Sequence, residues 1–321
     1  MNKEQRPSII DVHHHILPPE YVTALNKLGI STAGSVPIPQ WSPQSSLSQM
    51  DENGIVTAII SISAPGVYFE NDTYSRDLAR RCNEYCVRLI DEYPGRFGAF
   101  ASLPFPDVEG SLKELEYAID QLKLDGVGLL TNVQGHYLGD PEYEELYNEL
   151  NRRKMVVYIH PNEPPYGHIT KLKTPIALIE FPLETTRMVG NLIYGGVLER
   201  FPDIRFIFSH AGGAIPYLAW RYSSLYPILV NKERDSQYAI ELLGCQYYET
   251  ALSANPYSLR SLQELVKPSH ILFGTDYVFA PSQVTPLLIS GLREYDGFDK
   301  GALELIEHEN ALELFPRFKG N

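Results

Sequence analysis

The chain has 321 residues, 44% of them hydrophobic, enough for one large α/β barrel or two ordinary domains. Its net charge is −13 with no basic run, which argues against nucleic-acid and anionic-membrane partners, and no apolar run approaches the ~18–20 residues of a membrane span. Segment 1–8, MNKEQRPS, lacks the apolar core of a secretory signal, and three cysteines, Cys82, Cys86 and Cys245, suit a reducing cytoplasm better than a disulfide framework.

The first predicted element is a buried strand over Ser8–His14, leading into His13-His14-His15. Alternation puts His13 and His15 on one face, with Asp11, and His14 on the other. Residues 16–42, rich in Pro, Gly and Ser, are too long for an ordinary loop and are expected to fold over a site. Ser42-Pro43 is an N-cap and first-turn pair for a short helix that Gly54 ends. Ile55–Ser63 is a β-branched run of the kind buried on both faces. A long helix follows over Thr73–Tyr93, in which Cys82 and Cys86, four apart, read as packed side chains.

The alternation continues with a strand over Phe97–Leu103, a helix over Val108–Leu122, a strand over Gly126–Thr131, a helix over Pro141–Lys154 and a strand over Met155–His160. Then come a helix over Phe181–Arg200, a strand over Ile204–Ser209, a helix over Ile215–Tyr226, a short strand over Gln246–Thr250, a helix over Pro256–Val266 and an eighth strand over His270–Thr275. Helices fill Val284 to Phe315. Eight apolar strands alternating with helices predict a single-domain (β/α)8 TIM barrel over 1–321, with an inserted segment after strand 1. A doubly wound open sheet is the alternative, but no GxGxxG follows the first strand.

In such a barrel the functional groups sit at the C-terminal ends of the strands. Strand one ends at His13-His14-His15, strand five at His160, strand six at His210, and strand eight runs into Asp276. His13, His15, His160 and Asp276 offer three nitrogens and a carboxylate to one divalent metal, with a position left open. Zinc, manganese and iron all accept imidazole nitrogen; zinc is the first expectation and manganese the second. His210 is then available as general acid or base, as a holder of metal-bound water or as a further ligand, and Asp276 in its acid form is a second catalytic candidate for supplying a proton. The Ala211-Gly212-Gly213-Ala214 segment after it suggests free backbone N–H groups facing an anion. Asp11 is expected to support the ligands, and His14 to be structural.

The segments DVHHH (11–15), VVYIHP (156–161), FSHAGGAIPYLAWR (208–221), FGTDY (273–277) and HENALELF (308–315) together resemble the amidohydrolase superfamily. The resemblance spans almost the whole chain, in the branch of aminocarboxymuconate-semialdehyde decarboxylase and the metal-dependent aromatic-acid decarboxylases. GRFGAFASLP (95–104) and GHYLGDPEYEELYNELNRR (135–153) resemble 6-methylsalicylate decarboxylases. The resemblance implies metal binding by His13, His15, His160 and Asp276, assistance by His210, and a contact from Arg221 to the substrate carboxylate across a homodimer interface. Two-metal members carry a carboxylated lysine at the end of strand four, where this chain has Leu129-Leu130-Thr131, so one metal is expected.

The function that follows is non-oxidative decarboxylation of a small aromatic carboxylic acid of the 2-hydroxybenzoate type, such as 6-methylsalicylate, or of a related unsaturated carboxylic acid, with a cytoplasmic location. A metal-dependent hydrolase or hydratase acting on a lactone, amide or conjugated acid fits the same ligand set. Tyr68, Phe69, Tyr137 and His136 are weaker candidates for ring contacts. Asn310 is expected to support the barrel end. One of Tyr247 and Tyr248 should face the barrel interior.

Overall fold

The computed structural model describes residues 9–166 and 173–320. Eight strands form one sheet in chain order: β1 (Ile9–His15), β2 (Ile55–Ser61), β3 (Phe97–Ser102), β4 (Gly126–Leu130), β5 (Val156–His160), β6 (Arg205–Phe208), β7 (Tyr247–Glu249) and β8 (Ile271–Leu272). Every neighbouring pair is parallel. The sheet closes on itself where His14 pairs with Tyr277 and Val12 N donates to Phe273 O at 3.0 Å. This is the expected (β/α)8 barrel. Ser8, the expected first residue of β1, lies outside the described residues.

The inside of the barrel is packed by Ile10, Val12, Phe100, Tyr158 and Ile207, with Leu314, Phe315 and Phe318 from the end of the chain. Phe100 stacks on Tyr158 at 5.0 Å and meets Phe315 at 5.8 Å, so the C-terminal helix closes the end away from the site. Asn310 Nδ2 donates to Pro268 O and Ile271 O, both at 2.7 Å, the supporting role expected of it. A larger apolar layer lies between the strands and the helices and includes Cys82 and Cys86.

Several boundaries differ for local reasons. Residues 16–42 are not a plain loop. They contain the helix Pro19–Lys27, whose Tyr21, Ala24 and Leu25 are buried at the spacing of one helix face, and a small hairpin pairing Thr32–Ala33 with Val36–Pro37. The helix expected over Phe181–Arg200 runs Ile176–Tyr194 and resumes at Val197–Arg200. Gly196, at φ 72°, interrupts it in the left-handed region that glycine enters without strain. β8 is only two residues long, because Phe273 to Asp276 already bond across the seam to β1.

Candidate active site

The four expected metal ligands meet at the C-terminal mouth of the barrel. One ligand atom from each of His13, His15, His160 and Asp276 lies within 4.8 Å of the others, and all four residues are buried. His13 Nε2 is 2.9 Å from His15 Nε2 and 3.1 Å from Asp276 Oδ1, and His15 Nε2 is 3.2 Å from the same Oδ1. Each ring is tied at its other nitrogen: His13 Nδ1 to Glu249 Oε1 at 2.9 Å, His15 Nδ1 to Ser61 Oγ at 3.1 Å and His160 Nδ1 to Pro161 O at 2.7 Å. Imidazoles held at Nδ1 present Nε2 to a common point, the arrangement that orients metal-bound histidines.

The electrostatics also call for a cation. Burial, the largest influence on His13, works against its proton, yet Glu249 and Asp276 outweigh it and push the ring up to about 10. Burial pushes His15 down to about 4 and His160 well below the usual histidine value. Burial raises Asp276, but the charge of His13 and hydrogen bonds from His13, His15 and His210 hold it well below the carboxylate range. The pocket thus gathers three imidazoles and two carboxylates, Asp276 and Glu249, at one buried point. His13, His15, His160 and Asp276 would hold a divalent ion there, whose charge would offset the carboxylates. The donor set therefore fits a metal.

β1 reaches this geometry through an irregularity. Between the pairs Asp11–Ala58 and His14–Ile60, two residues of β1, Val12 and His13, oppose one of β2, Ile59, so the strand bulges. Val12 packs inside the barrel and His13, the next residue, faces inside as well. Asp11 consequently does not share the ligand face. Its Oδ2 lies 3.0 Å from His14 Nδ1, whose Nε2 is 2.8 Å from Ser46 Oγ on the helix Pro43–Asn53. His14 is on the outer face, as expected.

His210 Nε2 is 3.4 Å from Asp276 Oδ2, and its buried Nδ1 has no partner among the described residues. His210, Ala211, Gly212 and Gly213 all have positive φ, between 54° and 74°. A Cβ on Gly213 would collide with Pro182 O and sit 2.9 Å from Thr186 Oγ1, so glycine is required there twice over. The expected row of free N–H groups is not present. Gly212 N and Gly213 N donate within the turn to Ser209 O and His210 O, and Ala214 N donates to Thr186 Oγ1 on the helix Ile176–Tyr194.

A cavity of about 600 Å³ opens over the site, with His160, His210 and Asp276 on its floor and Phe181 and Phe279 among its walls. The ring of Phe279 stands edge-on to His15 at 5.7 Å, and that of Phe181 edge-on to His160 at 6.0 Å. Ala33 and Val36 of the segment inserted after β1 also line it, so that segment does fold over the site. Among the described residues no lysine or arginine lines this cavity.

Arg221 is not brought to it. It is exposed on the helix Ile215–Leu229. Tyr68, Phe69, Tyr137 and His136 also lie outside the cavity; Tyr68 bonds Asp72 at 3.0 Å, Tyr137 bonds Glu184 at 2.7 Å, and His136 contacts Glu142 at 3.3 Å. Tyr247 packs toward the barrel interior and Tyr248 toward the helices. The same alternation turns Glu249 inward onto His13. Sequence reading passes Glu249 over, although it is an acid at the C-terminal end of a barrel strand, the signal that located the other residues.

A family model described as amidohydrolase matches residues 10–317. Decarboxylase macB of Penicillium terrestre is 38% identical over 329 aligned residues, covering 97% of this chain and 95% of that protein. The 6-methylsalicylic acid decarboxylase of Penicillium expansum is 35% identical, covering 97% of each. Among solved structures, an amidohydrolase II superposes with a TM-score of 0.90 at 30% identity, over 96% of this chain and all of that one.

Proposed function

Because this chain belongs to the amidohydrolase family, we propose that it is a metal-dependent, non-oxidative decarboxylase of a 2-hydroxybenzoate-type acid, with 6-methylsalicylate the first candidate. Its relatives, at 35–38% identity over nearly the full chain, carry decarboxylase names. The observation that carries the site assignment is the convergence of three Nδ1-anchored histidines and Asp276 beneath a ring-sized, apolar-walled cavity.

We assign His13, His15, His160 and Asp276 as the ligands of one divalent metal, zinc ahead of manganese because the set is three nitrogens and one carboxylate. When bound, that ion supplies Lewis acidity toward substrate oxygens. The rest is the work of the chain. Phe181 and Phe279 flank an aromatic ring and exclude water. His210, beside Asp276 Oδ2 and facing the cavity, delivers a proton to the ring carbon bearing the carboxylate. Asp276, held ionised, orients His210 rather than donating. The carbon–carbon bond then breaks, its electron pair restores the aromatic ring, and CO2 leaves.

The cavity has no cationic side chain among its described residues to meet a carboxylate. Arg221 stands on a helix that exposes Tyr217, Trp220, Ile228 and Leu229, each more than 60% accessible, an apolar face suited to a second copy. We propose a homodimer in which Arg221 reaches the partner's substrate carboxylate through paired hydrogen bonds. The free thiols of Cys82 and Cys86 suit the cytoplasm. No described helix is long and apolar enough to cross a membrane. The test is a screen of the metal-loaded protein against aromatic acids, lactones and amides. CO2 release from a 2-hydroxybenzoate is expected, and hydrolysis of a lactone or amide without any CO2 release sinks the assignment.

A further inference from the structure

Glu249 is fully buried at the end of β7 and receives three N–H groups. Its Oε1 accepts from His13 Nδ1 at 2.9 Å and from His210 N at 2.6 Å, and its Oε2 accepts from Ala251 N at 2.6 Å. Space is reserved for it: a Cβ on Gly274 would collide with Oε2 and come within 2.8 Å of His13 Cβ. The backbone of Gly274 does not have positive φ, so room for this carboxylate and for His13 is what the glycine provides.

We infer that Glu249 is the positioning residue that couples metal capture to proton delivery, through a single oxygen shared by His13 and His210. The inference rests on the reading of His13 as a metal ligand. A neutral imidazole has one N–H; donating it from Nδ1 to Glu249 leaves the lone pair on Nε2, the nitrogen that faces His15 and Asp276. The same oxygen anchors the backbone of His210 at φ 54°, a left-handed conformation that a residue with a Cβ holds only when its surroundings fix it. Among the described residues the Nδ1 of His210 has no partner, and its ring is placed by that backbone anchor and by Asp276.

Three donors on two oxygens require a group that only accepts. Glutamine has nearly the same shape but carries two hydrogens on one terminal atom. Facing Ala251, that NH2 meets an N–H. Facing His13, it turns the ring to the tautomer with its proton on Nε2, which cannot bind a metal.

The test compares wild type, Glu249→Gln and Gly274→Ala, each as the full chain, by Zn2+ titration against a competing chelator and by CO2 release at saturating metal. Glu249→Gln should bind zinc about 10- to 100-fold more weakly, the scale seen when the partner of a ligating histidine is lost. At saturating zinc it should keep KM within a fewfold of wild type and lose kcat by at least tenfold, because His210 has moved. Gly274→Ala, which keeps the carboxylate and displaces it, should shift both readouts in the same direction, and it serves alone if the glutamine variant does not fold. A folded variant of either kind with wild-type zinc affinity and kcat overturns the inference. His13→Ala is run alongside: if it retains wild-type zinc content, the ligand reading fails instead.

Discussion

Asp11 Oδ2 and His14 Nδ1 lie 3.0 Å apart on the outer side of β1, while His13 and His15 face the barrel mouth. Asp11 does more than hold His14. Its Oδ1 accepts from His13 N and Thr275 N, both at 3.0 Å, and its Oδ2 accepts from Thr275 Oγ1 at 2.6 Å. One carboxylate thus fixes the bulge that turns His13 inward and staples β1 to the segment leading to Asp276. Backbone hydrogen bonds from Val12 N to Phe273 O at 3.0 Å and from Asp276 N to His13 O at 2.9 Å hold the same seam beside the bridge of His14 to Tyr277.

Replacing Asp11 with alanine strands the buried donors of Thr275, His13 and His14. The expected loss is about 2–4 kcal/mol of stability, since each buried donor left unpaired costs on the order of 1–3 kcal/mol and relaxation recovers part of it. Chemical denaturation should show a lower midpoint, and metal content of the still-folded protein should fall. An unchanged midpoint would mean that the seam is held elsewhere.

Much of the fold was legible because a buried parallel strand writes itself as an apolar run, as in Ile55–Ser61 and Val156–His160. The cluster of His13, His15, His160 and Asp276 was legible because strand ends are where a barrel keeps its chemistry. The bulge was not, since strict alternation assigns Asp11 to the face of His13 and no residue in IIDVHHH announces an extra one. Glu249 sits in a strand of only three residues, too short for periodicity to say which of its side chains face inward. The Gly196 break in the helix 176–200 had a plain sequence signal, Gly195-Gly196, that the apolar run around it obscured.

His13→Ala and His160→Ala should each empty the metal site, because removing one of four donors leaves a set too small for a buried ion. Elemental analysis after purification in added zinc reads this directly. Stripping wild type with a chelator should abolish CO2 release, and restored zinc or manganese should return it. Normal metal content in both variants would remove the proposed ligand set.

His210→Ala should keep its metal and lose about 10²–10⁴-fold in kcat, the usual scale for a positioned acid or base. Loss of metal together with activity would instead make His210 a ligand.

Arg221→Ala should lower kcat/KM by about tenfold to a few hundredfold, as for a charge-assisted contact worth roughly 1.5–3 kcal/mol. The shared-site reading makes a sharper demand. Mixing Arg221→Ala with His210→Ala under exchange conditions should restore part of the activity, because a mixed dimer contains one intact site. A fully active monomer by light scattering, or no recovery in mixtures shown to have exchanged, contradicts the assignment of Arg221 to the partner's site.

The central claim is that the site protonates an aromatic ring at the carbon that gives up CO2. Metal-loaded wild type supplied with 6-methylsalicylate in D2O, followed by mass spectrometry and proton NMR of the phenol, tests it most directly. The account predicts one deuterium per product molecule at the carbon that carried the carboxylate, appearing at the rate of CO2 release and absent with His210→Ala. Unlabelled phenol at that position, or intact 6-methylsalicylate and other 2-hydroxybenzoates beside a hydrolysed lactone or amide, would contradict it.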